Sequence, residues 1–198
     1  MHLWTIQTLP AWQTLREEGV LRCEPAAVDL DFVGAYRWMA TQMQTRLGPA
    51  PAPGVLPVWA WYQWEGAAKR RPDLRASGHL APGHRGVRLA LEVVESDALL
   101  SDFDLWHYVL NYWYLPGSGA EAENFEAELA RHGLSYFTMK PLPDLTYHAR
   151  TVQSWQRIFD LEWAAEEIAS PKVAKSIQAT MWQFTLEMVV EAQEFTAR

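Results

Sequence analysis

The sequence predicts a single-domain α/β (α+β) fold in which mixed sheets are flanked by helices. Segments with the two-residue periodicity of strands alternate with segments of helical periodicity and with irregular connections. A chain of 198 residues is long enough for one well-buried core, and no internal stretch has the composition of an interdomain linker. Apolar residues make up 49% of the chain and charged residues 21%, as in ordinary globular proteins. We therefore expect one domain over residues 1–198, with its sheets near both termini.

The N-terminal half predicts four strands and two helices. Thr8 is a candidate N-cap for the first helix and Gly19 its stop, and Asp31 is a candidate N-cap for the second helix. The connection between the third and fourth strands is long and rich in glycine and proline, and loops of this length are usually functional or mobile. The predicted order is strand 2–7, helix 9–18, strand 20–23, helix 32–47, strand 59–64, loop 65–86 and strand 87–94.

The C-terminal half predicts four helices and three strands. Ser101 and Asp104 have the spacing of a capping box, in which each side chain accepts a hydrogen bond from the other residue's backbone amide. The first of these helices is therefore expected to begin at Ser101. The predicted order is helix 101–111, helix 120–132, strand 134–139, helix 151–159, helix 161–169, strand 176–182 and strand 191–197.

An aromatic strand over residues 59–64 is followed by a basic turn. Alternation along the strand puts bulky side chains on both faces, with Trp61 on one face and Tyr62 on the other. Such a strand either lies between helices or offers one face as the floor of a ligand cleft. Arg70, Arg71 and Arg75 in the turn suit a phosphate or carboxylate at the edge of that cleft. The eleven tryptophans of the chain indicate either core packing or a shared aromatic binding surface.

The charge of the chain is unevenly distributed. Its formal net charge of −7 argues against a general coat protein for nucleic acids, which usually carries a basic excess. Residues 69–88, however, contain six lysine or arginine side chains and a single carboxylate. This segment fits a small anionic ligand or the edge of a nucleic acid held at one place, and it also fits a solvated charged loop. Arg88 shares a strand face with Glu92, and the sequence leaves open whether that face points inward.

Cysteine usage and hydropathy suggest a cytoplasmic location. The single cysteine, Cys23, excludes an internal disulfide and is expected to be a small core residue. The N-terminal residues lack the basic and apolar regions of a signal peptide, and no run approaches the length of a membrane span. We expect no membrane partner, and the sequence leaves the oligomeric state open.

Few side chains have the spacing of a catalytic or metal site. Asp102, Asp104 and His107 lie close together at a helix start, where an Asp/His cluster can ligate a metal or transfer protons. The capping box explains the same acidic residues without chemistry, and His107 is then a candidate residue of the cleft. His79 and His84 in the glycine-rich loop lack further ligands at known spacing, so no metal site is predicted.

Several motifs resemble a bacterial family of unknown function, domain of unknown function three-eight-four-one. The likeness covers nearly the whole chain, and its tryptophan-rich block is specific. The family name implies no activity. The motifs that carry the likeness are Leu3–Gln7, Trp59–Trp64, Arg71–Arg75, Leu100–His107, Val109–Asn111 and Ile158–Asp160.

Two shorter stretches resemble ADP-ribosyltransferases of the DNA-thymidine-modifying toxin type. The opening strand with the helix 9–15 looks like their first strand and helix, and residues 178–190 are similar to the segment that bears their catalytic glutamate. The resemblance implies an NAD cofactor, with a first-strand His or Arg at the nicotinamide ribose and aromatic side chains around the nicotinamide. Thr5 stands in place of that His or Arg, and Gln178 stands in place of the glutamate. An amide binds a ribose hydroxyl but is not a base, so the catalytic residues are atypical.

Two functional hypotheses follow. In the first, an ADP-ribosyltransferase-like protein binds NAD or a related nucleotide in a cleft floored by Trp61 and Tyr62. Thr5, Gln178 and His107 are then the candidate catalytic residues, and Gln7, Arg70, Arg71 and Arg75 complete the ligand-binding set. In the second, the protein is a non-catalytic module of a bacterial regulatory or conflict system that binds a nucleotide, a nucleic acid or a protein.

Overall fold

The computed structural model describes residues 1–198 and has a six-stranded antiparallel sheet with helices on both faces. The strands lie in the order β5-β6-β3-β1-β4-β8, and β2 and β7 form a separate two-stranded sheet. The strands are β1 His2–Thr8, β2 Val20–Leu21, β3 Val58–Gln63, β4 Arg85–Glu92, β5 Leu99–Asp102, β6 Ile177–Met181, β7 Phe184–Thr185 and β8 Val189–Thr196. The helices are α1 Leu9–Glu18, α2 Val33–Leu47, α3 Phe103–Leu110, α4 Gly119–Arg131 and α5 Leu145–Ser154. The predicted α/β class is therefore confirmed.

Strand register assigns each side chain to one of two sheet faces, because directly opposed residues of antiparallel strands point the same way. Leu3 opposes Leu91 on the face that packs against α1. We call this the first face, and its core is closed by Leu15 of α1 and Phe184 of β7. The buried strand residues of this core are Leu3, Val58, Ala60, Val87, Leu89, Leu91, Ala179 and Met181.

The opposite, second face is covered by helices over only half of its width. Trp59 of β3 packs there against Tyr36 of α2 and Trp106 of α3, with ring centroids 5.6 and 4.8 Å apart. Over β4 and β8 the loop between β3 and β4 lies on this face, where His79 packs near Phe195 and Leu80 lies against Gly86. Arg88 of β4 points into this loop and donates a hydrogen bond to the Pro72 carbonyl oxygen. The half-covered second face therefore leaves room for a cleft between sheet and loop.

The helix predicted over residues 151–159 is displaced, since α5 covers Leu145–Ser154 and a 3-10 helix follows over Trp155–Phe159. Two other predicted elements are wrong. Residues 134–139 form turns and not a strand, because Tyr136 is buried against Phe125 and Leu129 in a small separate core under α4 and α5. Residues 161–169 form turns and an isolated bridge between Ala165 and Ala169, not a helix. In both segments the apolar residues pack into a core without regular backbone periodicity, so their spacing misled the prediction.

The start of α3 also differs from the prediction. Ser101 belongs to β5, a strand that the sequence analysis did not identify, and Asp102 is the N-cap of α3. The Asp102 carboxylate accepts hydrogen bonds from the backbone amides of Asp104 and Leu105. Asp31 likewise does not cap α2, whose N-cap residue is Phe32. The predicted helices at these places exist, but the capping residue is displaced by one position in each.

A buried ion pair joins the start of α3 to the chain that enters β6. Lys175 Nζ lies 2.5 Å from Asp102 Oδ2, and the two side chains are 0% and 2% exposed. The same segment is fixed to β3, because the Gln63 side-chain amide donates to the carbonyl oxygens of Lys172 and Lys175. Since a buried charge without its partner is costly, this pair constrains how β5, β6 and α3 meet.

No helix in the structure is both long enough and apolar enough to cross a membrane.

We expect Lys175→Met to lower the free energy of unfolding by about 3–5 kcal/mol, because it leaves the Asp102 carboxylate buried and unpaired. The double variant Asp102→Asn/Lys175→Met should recover a large part of this loss, since asparagine still caps α3. Urea unfolding monitored by circular dichroism measures both. The matched control is Lys172→Met, whose exposed pair with Glu162 should contribute little. An equal effect of the two lysine substitutions would contradict the expected role of the buried pair.

Candidate functional site

Three tryptophans lie outside the hydrophobic cores. Eight of the eleven tryptophans pack into the three cores, most of them in the core between the second face, α2 and α3. Trp4, Trp61 and Trp64 belong to none of these cores and are partly exposed. Trp4 and Trp61 are opposed in register on the second face. Exposed tryptophans that cluster on one surface indicate a binding site more strongly than isolated ones.

A basic cleft opens beside these tryptophans, between the second face and the loop that joins β3 to β4. Its volume is about 820 Å³, and Trp4 and Trp64 are among the residues that line it. Five cationic side chains also line it, against the single carboxylate of Asp73. The cations are Lys69, Arg70, Arg71, Arg75 and Arg88. We refer to this space as the basic cleft.

Arg88 is buried and has little compensating negative charge. Its side chain is 7% exposed and donates to two neutral oxygens, the Pro72 carbonyl at 2.8 Å and Gln193 Oε1 at 2.5 Å. The carboxylate of Glu191 lies 3.9 Å away and is itself 55% exposed. The other carboxylate that acts on Arg88 is Asp73, which is already paired with Arg75. Burial, followed by repulsion from Arg71, lowers the pKa of the Arg88 guanidinium. A buried cation with such weak compensation gives the cleft an affinity for an anion.

The other cations of the cleft differ in how far their charge is already neutralised. Arg75 makes a bidentate contact with Asp73, at 2.6 Å for the closest pair of atoms, and Lys69 pairs with Glu65. Arg70 donates from Nε to the Tyr62 carbonyl oxygen and lies 4.4 Å from the Tyr62 ring centroid. Arg71 is exposed and forms no ion pair or hydrogen bond. Arg71 and Arg88 are therefore the cations most open to a ligand.

The loop that forms one wall of the cleft is fixed at its start by a close backbone approach. Gly66 has φ = +83°, and a Cβ atom there would lie 2.9 Å from the Val173 carbonyl oxygen. That carbonyl accepts a hydrogen bond from the Ala67 amide, and the Trp64 amide donates to the Arg70 carbonyl oxygen. Further along, His79 packs between Trp64 and Phe195. Glycine at position 66 is thus required for the loop to reach this position.

An aromatic strip continues from the cleft across the second face. It begins at Trp4 and passes to Trp61, its register partner on β3. The Trp61 ring lies 4.8 Å from the Phe103 ring, which in turn lies 4.9 Å from the imidazole of His107. His107 Nδ1 contacts the Phe103 carbonyl oxygen at 3.1 Å, so Nε2 is the nitrogen left for a ligand. We call these four side chains the aromatic strip.

The structure does not bring the predicted catalytic residues together. Thr5 lies on the first face, 2% exposed, with its hydroxyl donating to the Trp59 carbonyl oxygen. Gln7 shares that face and donates to the Thr5 hydroxyl. Gln178 opposes Trp61 on the second face and is 4% exposed, with its amide donating to the Ser101 hydroxyl. The expectation that Thr5 and Gln7 share one cleft with Trp61 is therefore wrong, because the two sets lie on opposite faces of the sheet.

Asp102, Asp104 and His107 also do not form one site. Asp102 is buried in the ion pair with Lys175, whereas Asp104 and His107 are exposed on α3. Partial desolvation of its carboxyl group, followed by the charge of Asp102, raises the pKa of Asp104. His79 contacts the Asp73 carbonyl oxygen and His84 contacts that of Ala81. No group of three or more His, Cys, Asp or Glu side chains is placed to hold a metal ion.

Sequence reasoning missed several residues of the basic cleft. The sequence places Trp64 at the end of the aromatic strand and Trp4 in a family motif without predicting either as a site residue, and it leaves the orientation of Arg88 open. Arg88 stands between Val87 and Leu89 in the predicted strand 87–94, and a charged residue between two apolar ones was the only sequence feature that pointed to it. Gln193, which receives a hydrogen bond from Arg88, comes from the far C-terminal strand and carried no signal.

The close approach at Gly66 predicts that Gly66→Ala destabilises the protein more than Gly78→Ala does. Both glycines have left-handed φ values, so each substitution should cost about 1–2 kcal/mol in backbone strain. Gly66→Ala should cost roughly 1–3 kcal/mol more, because the Val173 carbonyl must move, whereas nothing lies within 4 Å of a Cβ at Gly78. Urea unfolding of the two variants measures the difference. Equal losses would mean that the loop is not held at this contact.

The comparisons with known proteins identify the family of the chain, and the family's description names no activity. Searches of curated proteins and of solved structures each find no significant match. They give the resemblance to ADP-ribosyltransferases no support. The family described as Domain of unknown function (DUF3841) matches residues 2–190, which is nearly the whole chain. The resemblance to that family is thus confirmed, and the chain belongs to the DUF3841 family.

Proposed function

We propose that this protein is a binding module for a nucleotide, whose phosphate occupies the basic cleft and whose base stacks on a tryptophan at the edge of the cleft. The observation that carries this proposal is the environment of Arg88. Its side chain is 7% exposed and lines the cleft, and its guanidinium is hydrogen-bonded to neutral oxygens. A phosphate oxygen supplies the charge that Gln193 and the Pro72 carbonyl do not.

The neighbouring side chains favour a nucleotide over inorganic phosphate. Trp4 and Trp64 line the same cleft, belong to no hydrophobic core and are partly exposed. Stacking of a base on an exposed tryptophan stabilises a complex by about 1–3 kcal/mol. Arg71, exposed and without an ion pair, is free to contact a second phosphate oxygen.

The separation of the predicted catalytic residues favours binding over group transfer. Thr5 and Gln178 lie on opposite faces of the sheet and are both buried. A protein that binds nucleotides without transferring a group can still bind NAD and ADP-ribose, so both are proposed as ligands beside AMP and ADP. Transfer of ADP-ribose from NAD is the alternative activity, and its assay belongs to the same experiment.

Titration of the protein with AMP, ADP, ADP-ribose and NAD, followed by intrinsic tryptophan fluorescence and by calorimetry, tests this function. We expect quenching and saturable binding, because two tryptophans line the cleft. Arg71→Ala should weaken nucleotide binding about tenfold or more, since it removes a charged hydrogen bond. Binding should also weaken with added salt.

The matched control is Arg131→Ala, which removes an exposed arginine at the end of α4, away from the cleft. It should bind nucleotides as the unmodified protein does. No binding of any nucleotide, or equal binding by the Arg71→Ala and unmodified proteins, would refute the proposal. Release of nicotinamide from NAD would instead establish an enzyme.

A further inference from the structure

We infer that the ligand of this site is a single-stranded oligonucleotide, with successive bases stacked along the aromatic strip. This inference rests on the proposed function, because it extends the same site from the basic cleft toward α3. The strip consists of Trp4, Trp61, Phe103 and His107 on the second face of the sheet.

The first reason is that the aromatic surface extends beyond what one base needs. Trp4 and Trp61 are adjacent by register, and neighbouring strands are about 4.8 Å apart. The rings of Trp61 and Phe103 are 4.8 Å apart, and those of Phe103 and His107 are 4.9 Å apart. The two ring-to-ring steps, with Trp4 on the neighbouring strand beyond Trp61, make a surface of four side chains that is longer than one base covers. The strip therefore offers room for at least two stacked bases.

The second reason is that the strip has no role in the cores. Trp59, two residues before Trp61 on the same face, packs against Tyr36 and Trp106. Among aromatic rings Trp61 meets only Phe103, in an edge-to-face arrangement, and it remains partly exposed, as do Trp4 and Phe103. Partly exposed rings in a row, beside a positively charged groove, are how proteins bind single strands without reading their sequence.

The third reason is the amount of positive charge beside the strip. The basic cleft contains five cations; Arg75 and Lys69 are closely paired with carboxylates, and Arg88 has only the distant carboxylate of Glu191. Arg70, Arg71 and Arg88 remain, which is more than one phosphate group requires. Arg70 also lies 5.9 Å from the Trp4 ring, where the cleft and the strip meet. A backbone with several phosphates, running past the tryptophans, uses both features together.

The decisive experiment compares thymidine monophosphate with a short oligothymidylate in binding titrations of the full chain at low salt. We expect the oligonucleotide to bind at least tenfold more tightly than the monophosphate. Trp61→Leu should remove that gain and leave the affinity for the monophosphate within about twofold of its original value. Trp61→Phe, which keeps a ring at the position, should restore most of the gain.

Two controls keep the result interpretable. Phe137→Leu removes an exposed ring far along the chain from the strip and should change neither affinity. Circular dichroism establishes that each variant is folded, and Phe103→Leu provides a second test of the strip if Trp61→Leu unfolds.

Each outcome bears on the inference. Equal affinities for the monophosphate and the oligonucleotide, or an unchanged gain in a folded Trp61→Leu or Phe103→Leu variant, would overturn the extended site and leave the nucleotide-binding proposal standing. Equal binding of single-stranded and duplex DNA would also overturn it, because paired bases are not available for stacking. Failure to bind either ligand would overturn both proposals.

Discussion

The buried ion pair between Asp102 and Lys175 fixes the arrangement on which the rest of the molecule depends. Asp102 ends β5 and caps α3, while Lys175 leads into β6, so one contact aligns two strands and a helix. The same segment accepts hydrogen bonds from Gln63 at the end of β3 and, through Val173, from the start of the loop over the cleft. Phe103 follows Asp102 directly in the chain, so the ion pair also fixes where the aromatic strip meets α3. A buried charge pair tolerates little displacement because each partner is costly alone.

The tryptophans divide according to which part of the second face is covered. Where α2 and α3 lie on the sheet, Trp59 and Trp106 pack into a core. At the edge of this covered region Trp61 remains partly exposed beside Phe103, and Trp4 and Trp64 remain partly exposed at the cleft. Trp59 and Trp61 have the same orientation and differ only in what lies above them. The aromatic strand thus serves both of the roles that its sequence allowed, with core packing at one end and an open surface at the other.

The positive charge of the basic cleft also depends on the loop that lies on the second face. Arg88 comes from a central strand and is buried by the loop, so water does not screen its charge fully. Its neighbours are the neutral Gln193, the partly solvated Glu191, the Asp73 carboxylate that Arg75 already neutralises, and a second cation, Arg71. A protein with a net charge of −7 therefore presents a local positive site. This arrangement attracts an anion to one place and repels it elsewhere on the surface.

The sequence by itself determined the fold class, most strands and helices, the family, and the basic character of the loop after β3. These features depend on local periodicity, on capping residues such as Thr8 and Gly19, and on composition. Only the tertiary structure decided which face each strand residue occupies, because a strand pattern has two equivalent orientations until its partners are known. The strand pairing places Thr5 and Gln178 on opposite faces of the sheet and brings Arg88 against the loop. The site draws on β1, β3, β4 and β8, and no local pattern relates residues that lie so far apart in the chain.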